Sequence, residues 1–140
     1  MNTGHVGINV TNLDRAQSFY SEIFGLTRIG GDTGYAFLGD GTNLVLTLWE
    51  QAKGTFDRDR AGLHHLSFQV ESIDAVRKAE QAVRKLGAKL HHDGIVPHRE
   101  GADSGGIWFE DPDGTRLEIF TATGAGERKA PTEGPTCGFF

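Results

Sequence analysis

A single cysteine, Cys137, stands in 140 residues, so no disulfide can form within the chain. That fits a reducing compartment. Basic residues are also short: 14 Lys and Arg against 19 Asp and Glu give a formal net charge of -5, and no basic run interrupts that balance. A surface that tracks nucleic-acid phosphates is thereby argued against. No stretch approaches the roughly 20 apolar residues of a membrane span, and the opening "MNTGHVGINV" holds neither a basic segment nor a long apolar one. The expectation is a cytoplasmic protein with no membrane and no nucleic-acid partner. What is present is 37% hydrophobic residues in a chain of one-domain length, enough for a core that needs no staple.

The chain also repeats itself. "HVGINVTNLD" from His5 and "HLSFQVESID" from His65 superimpose under one constant shift, which sets His5 on His65, Ile8 on Phe68, Val10 on Val70 and Asp14 on Asp74. His64 falls opposite Gly4 and has no counterpart. A second echo sets "GTNLVLTL" from Gly41 against "GTRLEIFT" from Gly114.

Each copy has the pattern of a strand, a helix and three further strands. The two histidine segments alternate as half-buried strands do. In the first copy Asn12 or Asp14 caps a helix whose apolar face is Ala16, Phe19, Tyr20, Ile23 and Phe24, ended by Gly25. Ser72 caps the second, with Ile73, Val76, Ala79, Val83 and Leu86 on one face and Gly87 at the end. Short strands follow: "TRIGG", "GYAFLG" and "NLVLTLW", then "AKLHHDG", "GGIWFED" and "RLEIFT". The fold class expected is α+β, two βαβββ units curling a mixed sheet around a cup. Unit one spans 4–50, a linker 51–61, unit two 62–121 and a tail 122–140. The tail is rich in Gly, Pro and Thr without a period and is expected along the surface, with Phe139 and Phe140 to fasten it.

Paired βαβββ units that open on a histidine strand, with "DPDGTRLEIF" at the close, resemble the vicinal oxygen chelate superfamily over roughly residues 4–121. That superfamily holds glyoxalase I, fosfomycin-modifying enzymes, extradiol dioxygenases and bleomycin-type binding proteins. The resemblance implies metal ligands at His5, His65 and Glu118, with Glu118 facing the cup while Leu117 and Ile119 face the helices. Two imidazoles and a carboxylate suit Fe, Mn, Zn or Ni and leave positions open for a substrate with neighbouring oxygens. A fourth ligand, as in glyoxalase I, would fall by the second echo at Val45, or Leu46 with a one-residue slip, and neither can bind a metal. A tyrosine that dioxygenases and fosfomycin enzymes place ten residues before the closing glutamate is Trp108 here, whose indole cannot ionise.

Around that site, Trp49, Trp108 and Phe56 are expected to line a cavity for a flat organic ligand, with Phe37 and one of Trp108 and Phe109 turned to the helices. His98, in the Gly-rich "IVPHREGADSGG", is the candidate auxiliary acid or base beside a catalytic Glu118. His64 is expected at the surface or hydrogen-bonded to a neighbour, and His91 and His92 are expected to be solvated. Two functions follow: a metal-dependent enzyme of dioxygenase or lyase type acting on a small molecule, or a non-catalytic protein that sequesters a hydrophobic natural product. In small members of the superfamily the facing units come from different subunits, which implies a homodimer with shared sites.

Overall fold

The computed structural model describes residues 3–138 and has the two expected βαβββ units. Unit one runs β1 (Val6–Asn9), α1 (Leu13–Phe24), β2 (Thr27–Asp32), β3 (Tyr35–Gly39) and β4 (Leu44–Trp49), in the sheet order β1-β4-β3-β2. Unit two runs β5 (Leu66–Gln69), α2 (Ile73–Lys85), β6 (Val96–Pro97), β7 (Gly105–Glu110) and β8 (Arg116–Thr121), in the order β5-β8-β7-β6. In both, the first strand lies parallel to the last and the remaining pairs are antiparallel. Parallel pairing of first and last strands needs a long crossover, and the helix and the two middle strands supply it. No helix among the described residues is long and apolar enough to cross a membrane.

Each helix begins where a short polar side chain replaces the missing intrahelical acceptor. Asn12 accepts from the Arg15 N–H at 2.8 Å, and Ser72 accepts from the Ala75 N–H at 3.2 Å. Helix α1 ends at Gly25, whose φ of 67° a side chain would resist. Leu13, Ala16, Phe19, Tyr20 and Ile23 are buried on α1, which packs on β3 and β4. On α2, which packs on β7 and β8, Val76, Ala79 and Val83 are buried, whereas Leu86 remains 38% exposed and off the apolar face.

Strand alternation then sorts the sheet residues. In unit one Ile8, Ala36, Leu38, Leu46 and Leu48 are buried, which leaves Gly7, Phe37, Thr47 and Trp49 on the other, open face. In unit two Ile107, Phe109, Leu117 and Ile119 are buried on the helix side, with Ser67, Trp108 and Glu118 opposite. Truncating any of these core leucines to alanine costs about 2–5 kcal/mol by loss of transfer energy and opening of a cavity.

Two expectations change. The strand expected over 88–94 is absent, reduced to a single bridge between Leu90 and Phe109, and the pairing partner of β7 is instead the two-residue β6. The tail is fastened from within: Ala125 and Thr136 are fully buried. Phe139 and Phe140 lie outside the described residues. By internal contacts the first unit extends to Asp57 and takes in Pro112–Gly114, where Asp113 accepts from the Thr11 N–H and pairs with Arg15 at 2.7 Å.

Candidate metal centre

The open face of unit two is built around one carboxylate. Parallel pairing sets Ser67 opposite Glu118, and antiparallel pairing sets Trp108 opposite it on the other side. His65, one residue before β5, continues the alternation of Ser67 and reaches the same carboxylate, His65 Nε2 lying 3.3 Å from Glu118 Oε2. The other oxygen, Oε1, accepts from His98 Nε2 at 2.7 Å. Behind the imidazoles stand two further contacts, Ser104 Oγ at 2.8 Å from His98 Nδ1 and His64 Nδ1 at 2.8 Å from His65 Nδ1. His64 is thus a hydrogen-bonding neighbour of His65.

Glu118 is only 3% exposed, and burial alone would push its carboxyl up. Hydrogen bonds from His65, His98 and Ser67 more than offset that burial and hold it at about 2. It is therefore a buried, permanent anion at neutral pH. Trp108 is fully buried, its ring edge-on to both His92 and His98 at 5.6 Å. His91 and His92, expected to be solvated, are half-buried, and burial lowers both pKa values. His91 Nε2 lies 3.0 Å from Glu110 Oε1, and that carboxylate pulls the His91 value back up in part.

On the open face of unit one the corresponding position carries no charge. Gly7 pairs with Thr47 as Ser67 pairs with Glu118, so Thr47, and not Val45 or Leu46, is the counterpart of Glu118. The Gly-Thr echo misleads by two residues: the bulge that pairs Gly39 with Leu44 accounts for one, and the turn, with Gly41 three residues before Leu44 where Gly114 is two before Arg116, accounts for the other. The hydroxyl of Thr47 accepts from Trp49 Nε1 at 3.0 Å, and Trp49 stacks on Tyr35 with ring centroids 5.2 Å apart. Phe37, expected against the helix, joins these rings because Ala36 and Leu38 hold the buried positions. His5 is exposed just ahead of β1. Phe56 lies in the segment after β4, half-buried, its N–H donating to the Asp113 carbonyl at 2.8 Å.

Among the described residues no three His, Cys, Asp or Glu side chains gather to hold an ion. Unit two does bring together two of the three implied ligands, His65 and Glu118. An imidazole nitrogen aimed at a buried, ionised carboxylate is a donor pair whose chemistry fits a borderline divalent cation. Sequence reasoning missed Tyr35, Ser67, Ser104 and the pairing of His98 with Glu118. Tyr35 was accessible through its alternation with Phe37. Ser104 and the partner of His98 were not, since the segment that holds them has no copy in unit one.

Paired βαβββ units with an imidazole and a carboxylate on one open sheet face define a class of small metal- or ligand-binding proteins. The chain belongs to the Glyoxalase/Bleomycin resistance protein/Dioxygenase superfamily, whose model matches residues 2–119. It is similar to a trivalent organoarsenical cleaving enzyme of Bacillus sp. (strain MD1), 33% identical over 98% of this chain and 83% of that protein. It is also similar to a metallothiol transferase, FosB, of Shouchella clausii (strain KSM-K16), 33% identical over 85% of this chain and 79% of that one. Among solved structures, a glyoxylase/bleomycin resistance protein/dioxygenase domain from Frankia sp. EAN1pec is 30% identical, with a TM-score of 0.68 over 86% of this chain and 91% of that one.

Proposed function

We propose that this protein is a divalent-metal-dependent enzyme, of dioxygenase or lyase type, acting on a small organic substrate that offers two neighbouring oxygens. The observation that carries the reading is Glu118, a buried carboxylate held ionised within 3.3 Å of His65 Nε2. A buried charge is costly unless hydrogen bonds and neighbouring groups offset it, and groups with such strongly perturbed titration concentrate at functional sites. His65 and Glu118 would hold the ion, with His5 as the third ligand. When bound, a divalent ion there supplies a Lewis acid for a developing oxyanion, and iron would add dioxygen chemistry.

Enzymes among the relatives support catalysis at the coarse level, and their substrates differ enough to weigh. Trivalent arsenic is a soft centre that favours thiolates. The one thiol here, Cys137, is pushed up by burial and then by the charge of Glu118, so it stays protonated near neutrality. Oxygen donors suit this site better. Capture of a substrate through paired thiolates of one chain is excluded by the count of cysteines alone.

His5 lies in unit one and the other two ligands in unit two, so the complete site requires a first unit facing a second. We assign that pairing to a homodimer in which His5 comes from one copy and His65 with Glu118 from the other, a closed two-fold arrangement common among soluble oligomers. Metal analysis of protein purified without chelator or metal-binding tag tests the ion; about one per chain is expected. Mixing His5→Ala chains with Glu118→Ala chains tests the sharing. Recovery of metal binding in the mixture is expected, and no recovery, with subunit exchange shown independently, rules the shared site out.

One observation favours a second reading. The half-buried cluster of Tyr35, Phe37 and Trp49 on the open face of unit one is a stacking surface suited to a flat hydrophobic ligand. Metal-free protein that binds such a ligand tightly and returns it unchanged would decide for sequestration.

A further inference from the structure

His98 enters unit two through an insertion. In unit one β2 and β3 are joined by the tight turn Thr33–Gly34, with Asp32 paired to Tyr35. In unit two the matching pair is Val96 with Gly106, and beyond the next pair, Pro97 with Gly105, the chain makes the added excursion His98–Ser104. The two ends of that excursion face each other: the His98 N–H donates to the Ser104 carbonyl at 3.0 Å, and Ser104 Oγ lies 2.8 Å from His98 Nδ1.

Both imidazole nitrogens are therefore engaged. Nε2–H donates to Glu118 Oε1, and in the tautomer protonated at Nε2 the other nitrogen, Nδ1, is an acceptor for the Ser104 hydroxyl. The tail closes the arrangement from behind. Thr136, fully buried, donates its N–H to the His98 carbonyl at 2.8 Å and its hydroxyl to the Pro97 carbonyl at 2.7 Å. Ala125 donates to the Asp103 carbonyl and packs against Gly105, where an added Cβ would lie 2.7 Å from the Ala125 Cβ. The family model's match ends at residue 119, so these tail contacts lie beyond the segment it covers.

We propose that His98 is a positioning residue: held by Ser104 and the C-terminal segment, it occupies Oε1 of Glu118 and leaves Oε2 as the oxygen turned to His65 and the bound ion. The inference rests on the metal-site reading above. It differs from the expected role of auxiliary acid or base in that both ring nitrogens are used to hold Glu118 in place. Hydrogen bonds that orient a metal ligand are worth about 10- to 100-fold in metal affinity.

The test compares His98→Leu, which removes the donor, with His98→Gln, whose amide N–H can still reach Oε1 but cannot shuttle protons. Binding of Mn(II) or Co(II) alone is titrated, and the Co(II) absorption spectrum is recorded. His98→Leu is expected to weaken binding about 10- to 100-fold and alter the spectrum, with His98→Gln close to the parent in both. Ser104→Ala should lose affinity and Ser104→Thr regain it. In metal-free protein, two-bond 15N–1H correlations should show His98 protonated at Nε2, and a mixture of tautomers in Ser104→Ala. Equal damage from Leu and Gln, or unaltered binding in His98→Leu while His65→Ala abolishes it, overturns the positioning role. Binding unaffected by His65→Ala overturns the metal site itself. A metal-free His98 protonated at Nδ1 overturns the tether whether or not metal binds.

Discussion

Opposite Gly7 across the parallel ladder of unit one stands Thr47; opposite Ser67 in unit two stands Glu118. The flanking antiparallel strand supplies Phe37 in the first case and Trp108 in the second. At this position the register is therefore the same, and the difference is one of partners. Thr47 needs a single hydrogen bond, which Trp49 gives. Glu118 needs enough donors to offset burial of a charge, and His65, His98 and Ser67 provide them. A duplicated sheet supplies a place for a charge on each open face, and only the unit that gained the surrounding donors uses it.

The largest break in that comparison comes from the ligands. His65→Ala should abolish metal binding, measured by calorimetry, because it removes a ligand outright. His64→Ala should weaken it by only about tenfold, through loss of the contact between Nδ1 atoms that orients His65. Equal loss in the two variants would move the ligand assignment off His65.

Next comes a transplant. Thr47→Glu puts a carboxylate where unit one has Trp49, Phe37 and a 2% exposed position, and no imidazole equivalent to His98. Burying that charge unpaired should cost about 3 kcal/mol in urea unfolding. The reciprocal property of Glu118 is a pH dependence. Its folded carboxyl titrates at about 2 against an ordinary 4.5. A depressed carboxyl adds stability above its unfolded value and loses it as pH falls through the folded one, so the contribution is full above about pH 4.5 and gone below about pH 2. In metal-free protein that is up to about 3 kcal/mol, and Glu118→Gln should flatten the slope in this window. A parent and variant with parallel acid limbs would mean the hydrogen bonds do not hold the charge.

Where the two units use the same device, they should respond alike. Asn12→Ala and Ser72→Ala each remove one helix cap and should each cost about 1 kcal/mol. A large disparity would show that one helix owes its start to something other than its cap.

These comparisons also mark what the sequence made legible. Helix caps, apolar faces and most strands are local patterns, and Asn12, Ser72, Gly25 and the β7–β8 hairpin follow from residue types a few positions apart. The histidine repeat carries His65 to its place because strand, helix and the short connection between them keep one length in both units. Past the helix, lengths diverge, first in the bridge region around Leu90 and then in the excursion His98–Ser104. His98, in that excursion, has no copy in unit one and its partner is found only through pairing, while the counterpart of Glu118 falls at Thr47 rather than Val45 because of the bulge near Gly39 and the longer turn before Leu44. Phe37 went to the wrong face for a smaller reason: alternation fixes which residues share a face, but only packing decides which face meets the helix.

The smallest effect concerns Cys137, which lines a cavity of about 600 Å³ together with His98, Arg99 and Ser104. Its thiol is pushed up first by burial and then by the negative charge of Glu118. Glu118→Gln leaves the shape of the site nearly unchanged and removes that charge, so the second contribution vanishes and the thiol titrates lower. At pH 8 the thiolate fraction rises, and alkylation by iodoacetamide should quicken, since the thiolate is the reacting species. With one cysteine in the chain the rate has a single origin. Thr47→Val, made at the matching position of unit one, should leave the rate unchanged, because no charge is removed. A Glu118→Gln rate equal to the parent would mean that the tail does not hold Cys137 within reach of that carboxylate. A rate raised equally by Thr47→Val would mean general loosening rather than charge.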